Sequence, residues 1–193
     1  RKGLSLLDEQ DSLGTLRELM PGKTEKDDLQ IIRQWISRFK NKALEPAQAI
    51  AAATNDEEMV AAHAYTRYQQ QMRRLNAVDF DDLILGPLQL LQNEEHCARW
   101  REQWHYLLVD EYQDTNETQY QLLKRLAGPR GRITAVGDDD QSIYGWRGAQ
   151  PENLAQLARD YPDLKVVKLE QNYRSSGKIL RAANQVIANN PHD

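Results

Sequence analysis

Three short apolar runs, each ending in polar residues, constrain this chain more than any other feature. Tyr106-Leu107-Leu108-Val109 runs into Asp110 and Glu111, and Arg132-Ile133-Thr134-Ala135-Val136 runs into Gly137 and Asp138. Leu164-Lys165-Val166-Val167-Lys168-Leu169 runs into Glu170, Gln171 and Asn172. Short runs with β-branched members, bounded by turn formers, read as strands. Helical patterns lie between them, at 116–127 with Asn116 as N-cap and Gly128 as stop, and at 152–160 ahead of Pro162. Strands alternating with helices predict an α/β fold with parallel strands and crossover helices. In such a sheet the chemistry gathers at the carboxyl ends of the strands, where all three runs turn polar.

The first half reads differently. Apolar residues at three- and four-residue spacing predict helices over 5–20, 26–40, 55–75 and 79–92, as in Leu29, Ile32, Trp35, Ile36 and Phe39. Asn55 is placed to cap the third of these, with Glu57 and Glu58 in its first turn favouring the helix dipole. Pro21-Gly22 and Glu45-Pro46 punctuate the runs. The α/β part is therefore preceded by what reads as an all-helical subdomain.

With 193 residues, 40% hydrophobic and 28% charged, the chain has ordinary globular composition and length for one domain or pieces of two. No apolar stretch is long enough to span a membrane, and the first ten residues have no apolar core of a signal peptide. The single cysteine, Cys97, excludes an internal disulfide and fits a reducing, cytoplasmic compartment. A net charge of −4 does not advertise nucleic-acid binding, so any such contact must come from locally placed Arg, Lys and aromatic groups.

An apolar strand delivering Asp110 and then Glu111 has the form of a Walker-B site. Magnesium prefers hard oxygen ligands and keeps several waters, so one carboxylate near the phosphates suffices to hold it. Its neighbour is then available to deprotonate an attacking water. By itself an Asp-Glu pair after an apolar run is as well a solvated strand end. The wider string Asp110-Glu111-Tyr112-Gln113-Asp114-Thr115 is the rarer combination. The next strand opens into Gly137-Asp138-Asp139-Asp140-Gln141-Ser142-Ile143-Tyr144-Gly145-Trp146-Arg147-Gly148-Ala149. Gln141 can meet a γ-phosphate without adding charge. Trp146, in a polar loop between Gly145 and Gly148, is suited to stack on an unpaired base, as is Tyr144, with Arg147 beside them to contact phosphate or a carboxylate. A purely structural aromatic loop is the alternative. In Glu170-Gln171-Asn172-Tyr173-Arg174-Ser175-Ser176, Arg174 is either an arginine finger or a surface ion pair, Tyr173 can stack on a nucleobase, and Ser175 or Ser176 is placed to cap a helix.

Taken together and in this order, the three strings resemble motifs II, III and IV of superfamily 1 helicases of the Rep/UvrD/PcrA group, most of all its Rep branch. Val78-Asp79-Phe80-Asp81-Asp82-Leu83-Ile84 resembles a string this group carries upstream of motif II, and Ala188-Asn189-Asn190-Pro191-His192 is also Rep-like. The resemblance implies that Asp110, with Glu111 beside it, holds Mg2+ and that Glu111 is the catalytic base. It implies that Gln141 reads the γ-phosphate of ATP, that Tyr173 packs on the adenine, and that Arg174 reaches the γ-phosphate. It implies DNA contacts by Tyr144, Trp146 and Arg147. The implied fold is part of a RecA-like P-loop NTPase domain. Residues 1–91 would form the helical insertion, 92–172 the second part of the first RecA-like domain, and 173–193 the start of the second. The implied activity is ATP-driven 3′→5′ translocation on single-stranded DNA and unwinding of forked or 3′-tailed duplex. Replication or repair proteins are the implied partners, and the implied location is the cytoplasm of a bacterium, near the nucleoid.

The family's P-loop, G-x-x-x-x-G-K-(S/T), is not in this sequence. Gly22-Lys23-Thr24 is a decoy, because Arg17 stands where the earlier glycine belongs and the preceding segment reads as helix rather than strand. The chain alone is therefore expected neither to hydrolyse ATP nor to unwind DNA. A non-catalytic nucleic-acid-binding module and the motor subunit of a helicase–nuclease are the competing readings. His63, His96, His105 and His192 lack metal-ligand spacing. Trp35, Trp100 and Trp104 fall at helical packing positions, and Arg67, Arg73 and Arg74 read as a solvated helix face.

Overall fold

The computed structural model describes residues 3–20, 22, 24–150 and 152–190, with the backbone alone at Arg147. Arg1 and Lys2, Pro21 of the predicted turn, Lys23 of the decoy string, and Pro191 and His192 of the last Rep-like string lie outside the described residues, as does the Arg147 side chain. The fold is α/β and mostly helical, with two small parallel sheets among the described residues.

The helical body comprises α1 (Glu9–Leu19), α2 (Lys26–Asn41), α3 (Pro46–Ala52) and α4 (Asp56–Leu75). Asn55 caps α4 through a bond from the Glu58 amide, as its sequence position predicts, and Asn76 ends it in the left-handed conformation. The apolar stripes close on one core of Leu16, Leu29, Ile32, Ile36, Phe39, Tyr65, Tyr68 and Met72. Each such side chain contributes about 1.5–3 kcal/mol when removed from water. This half is not all-helical, however. β1 (Ser5–Leu6) pairs in parallel with β2 (Ala77–Val78), bringing the two ends of the helical body side by side. Two-residue strands carry no alternation from which to read them.

After β2 come α5 (Asp82–Leu90) and α6 (Glu94–Gln103), and then the second sheet. β3 (Leu107–Val109) is joined through α7 (Glu117–Ala127) to β4 (Ile133–Ala135), in parallel register Leu107 to Ile133 and Val109 to Ala135. This is the predicted crossover unit. Asn116 caps α7 in a reciprocal bond pair with Gln119, and Gly128 ends it. α8 (Glu152–Asp160) follows, and a second core forms from Tyr112, Tyr120 and Leu157, with Val109, Ile133, Ala135 and Leu164 against it. No helix among the described residues is long and apolar enough to cross a membrane.

The third predicted strand does not form. Residues 164–169 are irregular; Leu164 joins the second core, but Val166, Val167 and Leu169 are exposed. A strand needs a hydrogen-bonded neighbour as well as a pattern, and this segment pairs with neither β3 nor β4. α9 (Gly177–Ile187) opens where expected, with Ser176 at the N-cap position but without a capping bond from its side chain. The amides of Arg174 and Ser175 instead donate to Asn172 Oδ1, so an Asx turn leads into the helix.

The two bodies are stitched where α2 ends and α7 begins. Thr118 Oγ1 donates to the Lys40 carbonyl at 2.5 Å and accepts from the Ala43 amide at 2.8 Å. Asn116 donates from its side chain to Asn41 Oδ1 at 2.7 Å.

Candidate nucleotide and nucleic-acid site

Parallel pairing sets the carboxyl ends of β3 and β4 side by side. The ladder continues one step past each strand, with the Val136 amide donating to the Val109 carbonyl at 2.8 Å and the Tyr112 amide to the Val136 carbonyl at 2.9 Å. The chain can make that step only by turning sharply at Glu111, whose backbone is left-handed at φ 49° and ψ 44°. For a residue with a Cβ this costs about 1–2 kcal/mol, and such strain gathers at functional sites. The turn sends Tyr112 inward, fully buried, with its hydroxyl donating to the Asn153 carbonyl. Burial pushes that hydroxyl far above its usual pKa, so it stays a neutral donor. Asp110 and Glu111 remain exposed at the tip.

Asp110 Oδ1 accepts from the Glu111 amide at 3.0 Å, and its other oxygen takes no hydrogen bond among the described residues. An exposed carboxylate with an oxygen to spare fits a magnesium ion that keeps most of its waters. At the tip of β4, Asp138 accepts from the Asp140 amide, and Gln141 Nε2 donates to Asp138 Oδ2 at 2.6 Å. Asp138, Asp139 and Asp140 bring carboxylate oxygens within 4.8 Å of one another.

Between the two tips lies a residue that pattern reading passed over. Gln113 is 1% exposed. Its Nε2 donates to Glu111 Oε2 at 2.8 Å, and its Oε1 accepts from the Asp138 amide at 3.1 Å. Its carbonyl accepts from Ser142 Oγ at 3.2 Å. The only signal in the sequence is its place in the Asp110–Thr115 string.

The loop beyond Gln141 projects. Trp146 is 71% exposed and Tyr144 half-buried, their ring centroids 6.4 Å apart and inclined by 56°. Gly148 turns the chain back at φ 89°, and the Gln150 amide then donates to the Thr115 carbonyl at 3.0 Å. Asn153 Nδ2 bonds the same carbonyl at 2.9 Å. The loop carrying Tyr144 and Trp146 is thus anchored at both ends to the segment that follows Glu111.

The structure brings together Asp110, Glu111, Asp138 and Gln141, with Tyr144 and Trp146 on the adjoining loop. It does not bring Tyr173 and Arg174 against them. Tyr173 is 93% exposed, and the amides of Arg174 and Ser175 in its turn bond locally to Asn172. From this C-terminal segment Asn190 Nδ2 reaches the site, donating to Asp140 Oδ1 at 3.0 Å. Elsewhere Trp35 packs on the helical core, and Cys97 is buried with its thiol against the Arg125 carbonyl. Arg67, Arg73 and Arg74 are exposed on α4. Trp100 and Trp104 lie against each other, their ring centroids 4.8 Å apart and inclined by 35°, and both remain exposed.

The UvrD/REP helicase N-terminal domain matches residues 1–162. The chain is 54% identical over 195 residues to ATP-dependent DNA helicase Rep of Escherichia coli, covering 100% of this chain and 29% of that protein. The Rep helicase of Salmonella typhimurium gives the same identity and coverage. ATP-dependent DNA helicase PcrA of Leuconostoc citreum is 46% identical over 168 residues, covering 86% of this chain and 22% of that protein. The chain spans less than a third of the length of these curated relatives. A motif II tip, a motif III loop and these relationships lead to one assignment: the chain belongs to the UvrD/REP helicase family, within its Rep/UvrD/PcrA group.

Proposed function

We propose that the full-length protein carrying this chain is an ATP-dependent DNA helicase that moves 3′→5′ on single-stranded DNA and separates forked or 3′-tailed duplex. The observation that carries this reading is the parallel β3–β4 pair, which puts Asp110 and Glu111 beside Asp138 and Gln141 with Trp146 projecting from the same loop. Asp110, with Glu111 beside it, would hold magnesium, which would supply neutralisation of charge on the phosphate oxygens. Glu111 takes a proton from water as the water oxygen attacks the γ-phosphorus. The bond from that phosphorus to the bridging oxygen breaks, and ADP leaves with its electron pair. Gln141 hydrogen-bonds the γ-phosphate. Tyr144, Trp146 and Arg147 grip unpaired DNA, and their shared anchorage at Thr115 links grip to hydrolysis.

Tyr173 and Arg174 join the adenine and γ-phosphate across the cleft between two RecA-like domains. In this reading 1–91 is the helical insertion, 92–172 the second part of the first RecA-like domain, and 173–193 the start of the second. The protein works in a bacterial cytoplasm, at the nucleoid, alongside replication or repair proteins. This chain by itself, which contains no G-x-x-x-x-G-K-(S/T) string, does not turn over ATP. The test is Glu111→Gln in the full-length protein. Loss of a general base lowers kcat by about 10²–10⁴-fold, and near-normal ATPase would overturn the assignment.

A further inference from the structure

A buried amide side chain is costly unless both its ends are paired. Gln113 meets that condition with two groups from different strands, the Glu111 carboxylate after β3 and the Asp138 amide after β4. The orientation of its amide follows from its partners. The Asp138 N–H can only donate, so the carbonyl faces it, and the NH2 is left for a carboxylate that can only accept. No other side chain of this length donates at one end and accepts at the other. Glutamate would set acceptor against acceptor, methionine would offer neither bond, and asparagine is one methylene short. The neighbouring backbone is fitted to this amide: a Cβ at Gly137 would lie 2.8 Å from Gln113 Oε1.

We propose that Gln113 is a positioning residue that locks the Glu111 carboxylate to the Asp138–Gln141 turn, so that the base and the γ-phosphate-reading glutamine are held in one fixed relation. The inference rests on the ATPase reading above. Glu111 is exposed and carries three side-chain torsions, so nothing in its own packing holds its carboxylate in one direction. The bond to Oε2 restricts it and leaves Oε1 to receive the proton from water. The same residue accepts from Ser142 through its carbonyl, so the start of the aromatic loop is registered to the base as well.

The test compares Gln113→Met, Gln113→Glu and Glu111→Gln with the wild type in the full-length protein. The readouts are kcat, KM for ATP, the pH dependence of kcat, and melting temperature. Gln113→Met should lower kcat by about 10–100-fold, the range seen when outer-shell partners are removed, with KM changed by less than about twofold. Gln113→Glu keeps the shape but sets a second carboxylate against that of Glu111, so that the two share a proton. The acidic limb of its kcat profile should move upward by about one pH unit or more. A Gln113→Met enzyme with wild-type kcat, or a Gln113→Glu profile that superimposes on wild type, would overturn the proposal. A fall in melting temperature with equal loss in kcat and 1/KM, and no profile shift, would make Gln113 a structural residue only, which also overturns it. If Glu111→Gln retains activity, the ATPase reading itself fails. If Glu111→Gln is inactive while both Gln113 variants behave as wild type, only this inference fails.

Discussion

The Lys40 ammonium lies 2.7 Å from an oxygen of Asp79 with its side chain wholly shut off from solvent. Asp82 approaches the same nitrogen at 2.7 Å, and the Tyr68 hydroxyl donates to Asp79 at 3.1 Å. Burial works to raise the Asp79 pKa, but the Lys40 charge and the bonds around it hold the carboxyl below its ordinary range; burial leaves Asp82 raised. Lys40→Met strands two buried carboxylates. It should destabilise the protein by about 3–5 kcal/mol, the usual penalty for breaking a buried pair from one side, read by urea denaturation. A loss under about 1 kcal/mol would show that water or rearrangement replaces the lysine.

Asp160 supplies the pH-dependent counterpart. The Tyr120 hydroxyl bonds it, Lys124 pairs with it at 2.9 Å, and Gln156 adds a third bond, holding its carboxyl below its ordinary value near 3.8. A depressed folded-state pKa contributes stability that is full above the unfolded value and is lost as the pH falls through the folded one. Asp160→Asn should therefore be less stable than wild type at pH 7, by no more than about 1 kcal/mol for so exposed a pair. The gap should close as the pH is taken below 3.8. Thermal melts of both proteins across that range check it, and a constant gap contradicts it.

Gly137 sits at an ordinary φ, so its replacement tests space rather than backbone freedom. A Cβ there would approach Gln113 Oε1 to 2.8 Å and the Gln113 backbone nitrogen to 3.3 Å. Gly137→Ala should cost about 1–3 kcal/mol, as overpacking does, and should lower ATPase kcat by displacing Gln113. Wild-type kcat with wild-type melting would mean that the contact relaxes freely.

Trp146 should matter to DNA more than to hydrolysis. Base stacking on an aromatic side chain is worth about 1–3 kcal/mol, so Trp146→Ala should weaken single-stranded DNA binding by about 5–150-fold. DNA-stimulated ATPase should fall more than basal ATPase. Steady-state kinetics with and without oligonucleotide measure both, and equal loss would make Trp146 a structural residue.

Local chemistry was readable and distant pairing was not. Asn55 and Asn116 announce their helices because a cap acts within three residues, and the α2 stripe is visible because its period is its own. β3 and β4 are legible as apolar runs ending in acids. The run at 164–169 has the same look, yet among the described residues no strand pairs with it, and composition cannot supply one. Gln113 was invisible for the same reason. Its importance arises only when β4 arrives beside β3 and presents the Asp138 amide, 25 positions away. Tyr173 and Arg174 are recognisable as a string but stand apart from the carboxylates in this structure.

The short β1–β2 pair has a consequence for how such a chain can change. The Ser5 amide bonds the Asn76 carbonyl, the Leu7 amide bonds the Val78 carbonyl, and the Asn76 side chain reaches Gly3. The α1–α4 bundle therefore leaves from and returns to nearly one point, while the bonds of Lys40, Asn41 and Ala43 to the start of α7 fix its tilt from a second side. A body held at two places can gain residues in the turns far from both while the spacing of β3 and β4 stays untouched.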